Sequence, residues 1–210
     1  MTRKEELLKR YPQLESCLPD IEKCVDALVT SYKNGGKLLI CGNGGSSSDS
    51  GHIVGELMKG FLKKRPVSKE QRAVMSSRCE ALDDAFFDRL QGSLPAINLT
   101  ENSTLISAFA NDVDPLMSYA QQVLGLGQPQ DVFLGISTSG NAENVANALK
   151  VASGLGLTTL SLTGKDGGKL KELSNITVVV PESETFKIQE LHLPVYHYIC
   201  AAVEEAFFKE

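Results

Sequence analysis

The feature that most constrains this chain is a repeated switch of hydrophobic period. Five short apolar runs, at 37–41, 96–99, 132–136, 159–162 and 176–180, sit between glycines and polar residues. Continuous apolar runs of this length suit strands buried on both faces. Amphipathic helical patterns follow most of them, at 46–62, 102–110, 116–125, 141–154, 167–174 and 187–208. Strands alternating with helices require crossover connections, which are almost always right-handed. The expected product is an α/β fold, a parallel sheet with helices on both faces. Two more helices are expected ahead of the first strand, at 3–16 and 20–34. Leu7, Leu8 and Tyr11 recur at helical spacing, as do Ile21, Cys24, Leu28 and Tyr32, with Asp20 as start signal and Gly35-Gly36 as stop.

The 210 residues read as one domain, with 1–34 as N-terminal helices. Residues 63–94 fit the alternation least. This charged stretch begins Lys63-Lys64-Arg65-Pro66 and carries a short helical pattern around 80–90 (Ala81, Leu82, Ala85, Phe86). It reads as an insertion between the first crossover helix and the second strand, and so long a connection is usually functional or mobile. The net charge of −5 is spread along the chain and argues against nucleic acid as a partner. No apolar run reaches the length of a membrane span, and no signal peptide is expected. The five cysteines (17, 24, 41, 79 and 200) are odd in number and irregularly spaced, which suits reduced thiols and a cytoplasmic location.

Chemistry concentrates where strands end. Cys41-Gly42-Asn43-Gly44-Gly45-Ser46-Ser47-Ser48-Asp49 joins the first strand to a helix. Its glycines permit positive φ and close approach to a ligand. Ser46 is the expected helix cap, with Asp49 in capping-box position. A helix start of this kind attracts an anion through its free N–H groups. A tight strand–helix turn explains the same residues. The loop is no Walker A sequence, because no Gly-Lys-Ser/Thr follows, and it does not fit G-x-G-x-x-G. After the third strand, Ser137, Thr138 and Ser139 place three hydroxyls in a row, able to donate to phosphate oxygens. A Ser/Thr-rich cap is the alternative there. A third glycine-rich junction, 162–168, follows the fourth strand. Open α/β sheets bind ligands at the carboxyl ends of strands near a switch in strand order, so several such loops favour a small anionic ligand.

A second constellation lies on helices. His52 and Glu56 are four apart and share a face. Gln189 and His197 lie on the last helix, about 80° apart around its axis, near enough to reach one groove; His192 is a rival. His52, Glu56, Gln189 and His197 form a donor set suited to Zn²⁺. The same groups suit proton transfer. A surface His/Glu pair beside an unrelated core histidine explains the spacing more simply. Asp112, close to Asp114-Pro115, suits either sugar hydroxyls or a turn.

Taken together, Cys41–Ser46, His52-Ile-Val-Gly-Glu56, Ala110-Asn-Asp112, Gly135-Ile-Ser-Thr-Ser-Gly-Asn141, 162–168 and Ile188-Gln-Glu-Leu-His192 resemble the sugar isomerase (SIS) domain family. In order and spacing they are similar to its phosphoheptose (sedoheptulose 7-phosphate) isomerases. The resemblance spans most of the chain. It implies a five-stranded parallel sheet of flavodoxin-like type and a homotetramer with active sites at subunit interfaces. It implies a phosphorylated sugar held by Ser46, Ser137, Thr138 and Ser139, with Asn43 and Gly44 nearby and Asp112 and Gln189 as further contacts. Glu56 would be the base of an enediol mechanism and His197 its acid partner. Zinc, where members carry it, would lie on His52, Glu56, Gln189 and His197. The chain departs from the family in the long 63–94 segment, in Ala142 where serine is common, and in Phe186 where a polar residue is expected. Two other functions fit the resemblance. One is isomerisation of a different sugar phosphate. The other is a non-catalytic module that partners the bacterial replication initiator, a branch whose position matching His197 is not histidine.

Overall fold

A computed structural model describes residues 1–208. Five strands, β1 (Leu38–Gly42), β2 (Ala96–Asn98), β3 (Val132–Ser137), β4 (Thr158–Thr163) and β5 (Ile176–Val179), form one sheet in the order β2-β1-β3-β4-β5. Every pairing is parallel. The expected α/β architecture is therefore the observed one. Around the sheet stand α1 (Arg3–Arg10), α2 (Leu18–Lys33), α3 (Gly45–Met58), α4 (Lys69–Arg78), α5 (Asp84–Phe87), α6 (Ser103–Asp112), α7 (Ser118–Leu126), α8 (Glu143–Gly154), α9 (Gly168–Leu173) and α10 (Thr185–Phe207).

Alternation along β1 divides the core. Successive side chains of a strand point to opposite faces, so Leu38 and Ile40 pack with Leu28 of α2, Ile53 and Leu57 of α3, and Val195 and Ile199 of α10. Leu39 and Cys41 face Val123 of α7 and Val145 and Leu149 of α8. Both faces of the strand are buried, which is why it reads as an unbroken apolar run.

The differences from expectation are local. The first predicted helix stops at Arg10, because Pro12 opens a 3₁₀ segment, Pro12–Cys17. α2 starts at Leu18 with Pro19 in its first turn, so Asp20 lies inside the helix rather than capping it. Ser46 does not cap α3. The turn at Gly44, φ +56°, starts the helix one residue earlier, and Ser46 falls in the first turn without a capping-box bond to Asp49. Within 63–94 the short helix near 80–90 is α5. The longer α4 was not expected, although Ser68 and Gln71 form a capping box at its start. From 63 to 94 only Arg65, Phe87 and Leu94 are buried. No helix among the described residues is long and apolar enough to cross a membrane.

Candidate functional site

The sheet reverses its strand order between β1 and β3, which is where open α/β sheets leave a crevice. The loops after these two strands meet there. The Asn43 and Asn144 side-chain amides exchange hydrogen bonds of 2.9 and 3.0 Å, and the Tyr119 hydroxyl donates to the Gly42 carbonyl at 3.1 Å. The β3–α8 loop is in turn pressed on the β4–α9 loop. Gly140 has φ +66°, and a Cβ there would lie 1.9 Å from the Gly167 carbonyl oxygen. Only glycine serves both constraints. Ser46 and Ser137 are buried, Thr138 and Ser139 half-buried, and Asn43, Gly44 and Gly45 exposed. Among the described residues the Thr138 and Ser139 amides meet no backbone acceptor. The cradle thus offers hydroxyls and amides on neighbouring strand ends.

The second centre lies where α3 and α10 pack side by side. His52 Nε2 is 3.2 Å from Glu56 Oε1 and 3.5 Å from His197 Nε2. The Tyr196 hydroxyl stands 3.0 Å from His52 Nδ1 and 3.3 Å from Asp49 Oδ1. Glu56 Oε2 is buried with no hydrogen-bond partner. Burial, reinforced by the neighbouring His52, draws the His197 pKa below its ordinary value against the pull of Glu56. Its imidazole is therefore neutral near pH 7, able to accept a proton at one nitrogen and donate at the other. A cavity of about 370 Å³ opens beside His197, between Arg3 and Arg10 of α1, Phe61 and Leu193.

Three of the anticipated acid–base residues thus converge. Gln189 projects over the start of α3, where a Cβ on Gly45 would meet its Nε2 at 2.2 Å. It borders the cradle formed by the β1 and β3 strand ends. Asp112 ends α6, exposed, with its carboxylate accepting from the Asn111 side chain at 2.7 Å. His192 is fully buried under β4, with Nε2 3.2 Å from the Thr163 carbonyl, and is a core residue. Tyr196, which adjoins His197, was not anticipated, and Asp49, expected as a capping-box residue, instead accepts from the Tyr196 hydroxyl.

The nitrogen and oxygen donors of His52, Glu56 and His197 suit zinc, and the unpartnered Glu56 oxygen leaves one donor free. Among the described residues no three His, Cys, Asp or Glu side chains already surround a common metal position.

The SIS domain family model matches residues 5–97 and 85–164. The chain belongs to the SIS domain family. This SIS domain is 37% identical over 203 residues to a phosphoheptose isomerase of Helicobacter pylori, covering 97% of this chain and 91% of that protein. It is 39% identical over 184 residues to the phosphoheptose isomerase of a Nitratiruptor species, covering 88% and 82%. Among solved structures, the phosphoheptose isomerase of Francisella tularensis superposes with a TM-score of 0.74 at 28% identity, covering 96% of this chain and 94% of that one.

Proposed function

We propose that this SIS domain is an aldose–ketose isomerase that converts sedoheptulose 7-phosphate to D-glycero-D-manno-heptose 7-phosphate. The observation that carries the reading is the convergence of Glu56, His52 and His197 in one groove, with a free buried carboxylate oxygen on Glu56. Its support in the family is the full-length similarity to phosphoheptose isomerases.

The phosphate is held by Ser46, Ser137, Thr138 and Ser139, with Asn43, Gly44 and Gln189 at the rim. Hydroxyls and loop amides satisfy its oxygens without a basic patch. Glu56 takes a proton from C1 of the ketose, and the electron pair moves through C1–C2 onto the C2 oxygen. Neutral His197 relays a proton from the C1 hydroxyl to that oxygen. Glu56 then returns its proton to C2 while the C1 carbonyl forms. No atom is gained or lost. The binding energy of the remote phosphate serves to orient C1 and C2 at the base.

His52, Glu56, Gln189 and His197 would hold Zn²⁺, which when bound supplies Lewis-acid polarisation of a substrate oxygen. The working unit is a homotetramer in the cytoplasm. Ser46 and Glu56 are separated along α3 by about 15 Å of helix rise, a spacing that suits active sites shared between subunits, with Asp112 supplied across the interface.

The test is loss of ketose when purified protein meets sedoheptulose 7-phosphate, with and without added Zn²⁺. Turnover in either condition supports the reading. A protein that binds the sugar phosphate yet turns over none of it in both conditions overturns it.

A further inference from the structure

Arg65 is 1% exposed and Glu204 is fully buried, and the two meet at 2.8 Å between Nε and Oε1. The rest of the guanidinium serves α3. Nη1 donates to the Leu57 carbonyl at 2.6 Å and Nη2 to the Glu56 carbonyl at 3.0 Å. These carbonyls belong to the last turn of α3, which has no helical donors of its own. Glu204 accepts the Phe61 amide at 2.9 Å and the Leu62 amide at 2.8 Å. The Phe61 ring lies against the His197 imidazole, 5.5 Å between centroids. One buried pair therefore grips the backbone of Glu56 on one side and the residue packed on His197 on the other.

The same point anchors 63–94. The Gly92 amide donates to the Arg65 carbonyl at 2.6 Å, and the Gly60 amide to the Gln91 side chain at 2.8 Å. Both ends of the exposed segment close on this clasp, and α4 has no buried residue. Holding a fold together does not need a buried ion pair, since apolar residues of similar volume do that equally well. A fully satisfied polar network does impose a single geometry.

We infer that the Arg65–Glu204 pair is a positioning device that sets Glu56 against His197 and shields that geometry from the 63–94 segment. The inference rests on Glu56 and His197 being the proton-transfer groups. Displacement of a reacting group by about 1 Å costs on the order of 10²-fold in rate.

The experiment compares the wild-type protein with the double variant Arg65→Met/Glu204→Leu, which removes both charges together and keeps the volume apolar. Thermal unfolding identifies a folded variant; if this one is unfolded, Glu204→Gln takes its place. The expected result is kcat lower by about tenfold or more with KM for sedoheptulose 7-phosphate within about twofold. Unchanged kcat in the folded variant overturns the inference. A crystal structure of the variant gives a readout independent of turnover. Movement of the Glu56 carboxylate relative to the His197 ring by more than about 0.5 Å is expected, and an unmoved pair overturns the inference even if the wild-type protein proves inactive on this sugar. Full activity of Glu56→Gln in the same assay instead removes the reading on which it rests.

Discussion

At the β1/β3 edge the proposed phosphate-holding groups come from short contiguous stretches, Ser46 in the first turn of α3 and Ser137, Thr138 and Ser139 running from the end of β3 into the next loop, each beside a glycine-permitted turn. In the α3/α10 groove they come from side chains far apart in the chain, His52 and Glu56 on one helix and His197 on another, held by a buried pair that joins residues 65 and 204. The cradle is specified by local backbone geometry. The groove is specified by packing between distant elements. Damage to the first should appear as weaker binding, and damage to the second as lost stability or lost rate.

The largest effect is expected where the groove depends on long-range contacts. Arg65→Met leaves Glu204 buried without its cation and should cost about 3–5 kcal/mol of stability in urea unfolding. A loss below about 1 kcal/mol would mean that the groove is no more dependent on distant contacts than the cradle. Burial tends to raise the pKa of Glu204, but the Phe61 and Leu62 amides and Arg65 outweigh it, and the carboxyl sits below its ordinary value. Its contribution to stability is thus complete above the unfolded carboxylate pKa near 4.3 and lost as pH falls through the lower folded value.

His192 titrates in a different window. Burial lowers its pKa to about 4, against the hydrogen bond to the Thr163 carbonyl. Between about 6.5 and about 4 the unfolded chain binds the proton and the folded chain does not, so stability falls as pH falls through that range. The loss should approach about 3 kcal/mol, and His192→Leu should flatten the slope there while leaving the lower Glu204 window in place. An unaltered slope in the variant would assign the pH dependence elsewhere.

In the cradle, Gly140→Ala forces a side chain into positive φ and against the Gly167 carbonyl. It should cost about 2 kcal/mol and raise KM, because the loop must shift. Gly45→Ala is the milder contrast, since the clash is with the movable end of Gln189. Smallest of all, Ser46→Ala removes one hydrogen bond to an anion, worth about 1.5 kcal/mol. It should raise KM roughly tenfold with kcat nearly unchanged. A fall in kcat without a change in KM would place Ser46 with the reacting groups.

This contrast also explains what could be read from the chain. The strands were legible because burial on both faces leaves unbroken apolar runs such as Leu38 to Cys41. The cradle was legible because glycines and hydroxyls crowd into contiguous loops. Helix ends were less so. Pro12 and Gly44 overrode the expected boundaries through backbone geometry that hydrophobic periodicity does not register. The pairing of His52 with Glu56 followed from helical spacing, but their meeting with His197, and the place of Gln189 over Gly45, are tertiary facts. Arg65 was hidden within a basic run, Lys63-Lys64-Arg65, that reads as solvated surface. Its partner lies 139 positions away.

The most direct measurement pairs binding with turnover in Glu56→Gln. Sedoheptulose 7-phosphate is titrated calorimetrically into the wild-type and variant proteins, and ketose loss is followed on the same samples. With the phosphate cradle separate from the proton-transfer groove, Kd should stay within about threefold while turnover falls by about 10²–10⁴-fold. Retained turnover, or a Kd that weakens in step with the rate, would show that Glu56 is not the base or that the two regions do not work as separate parts.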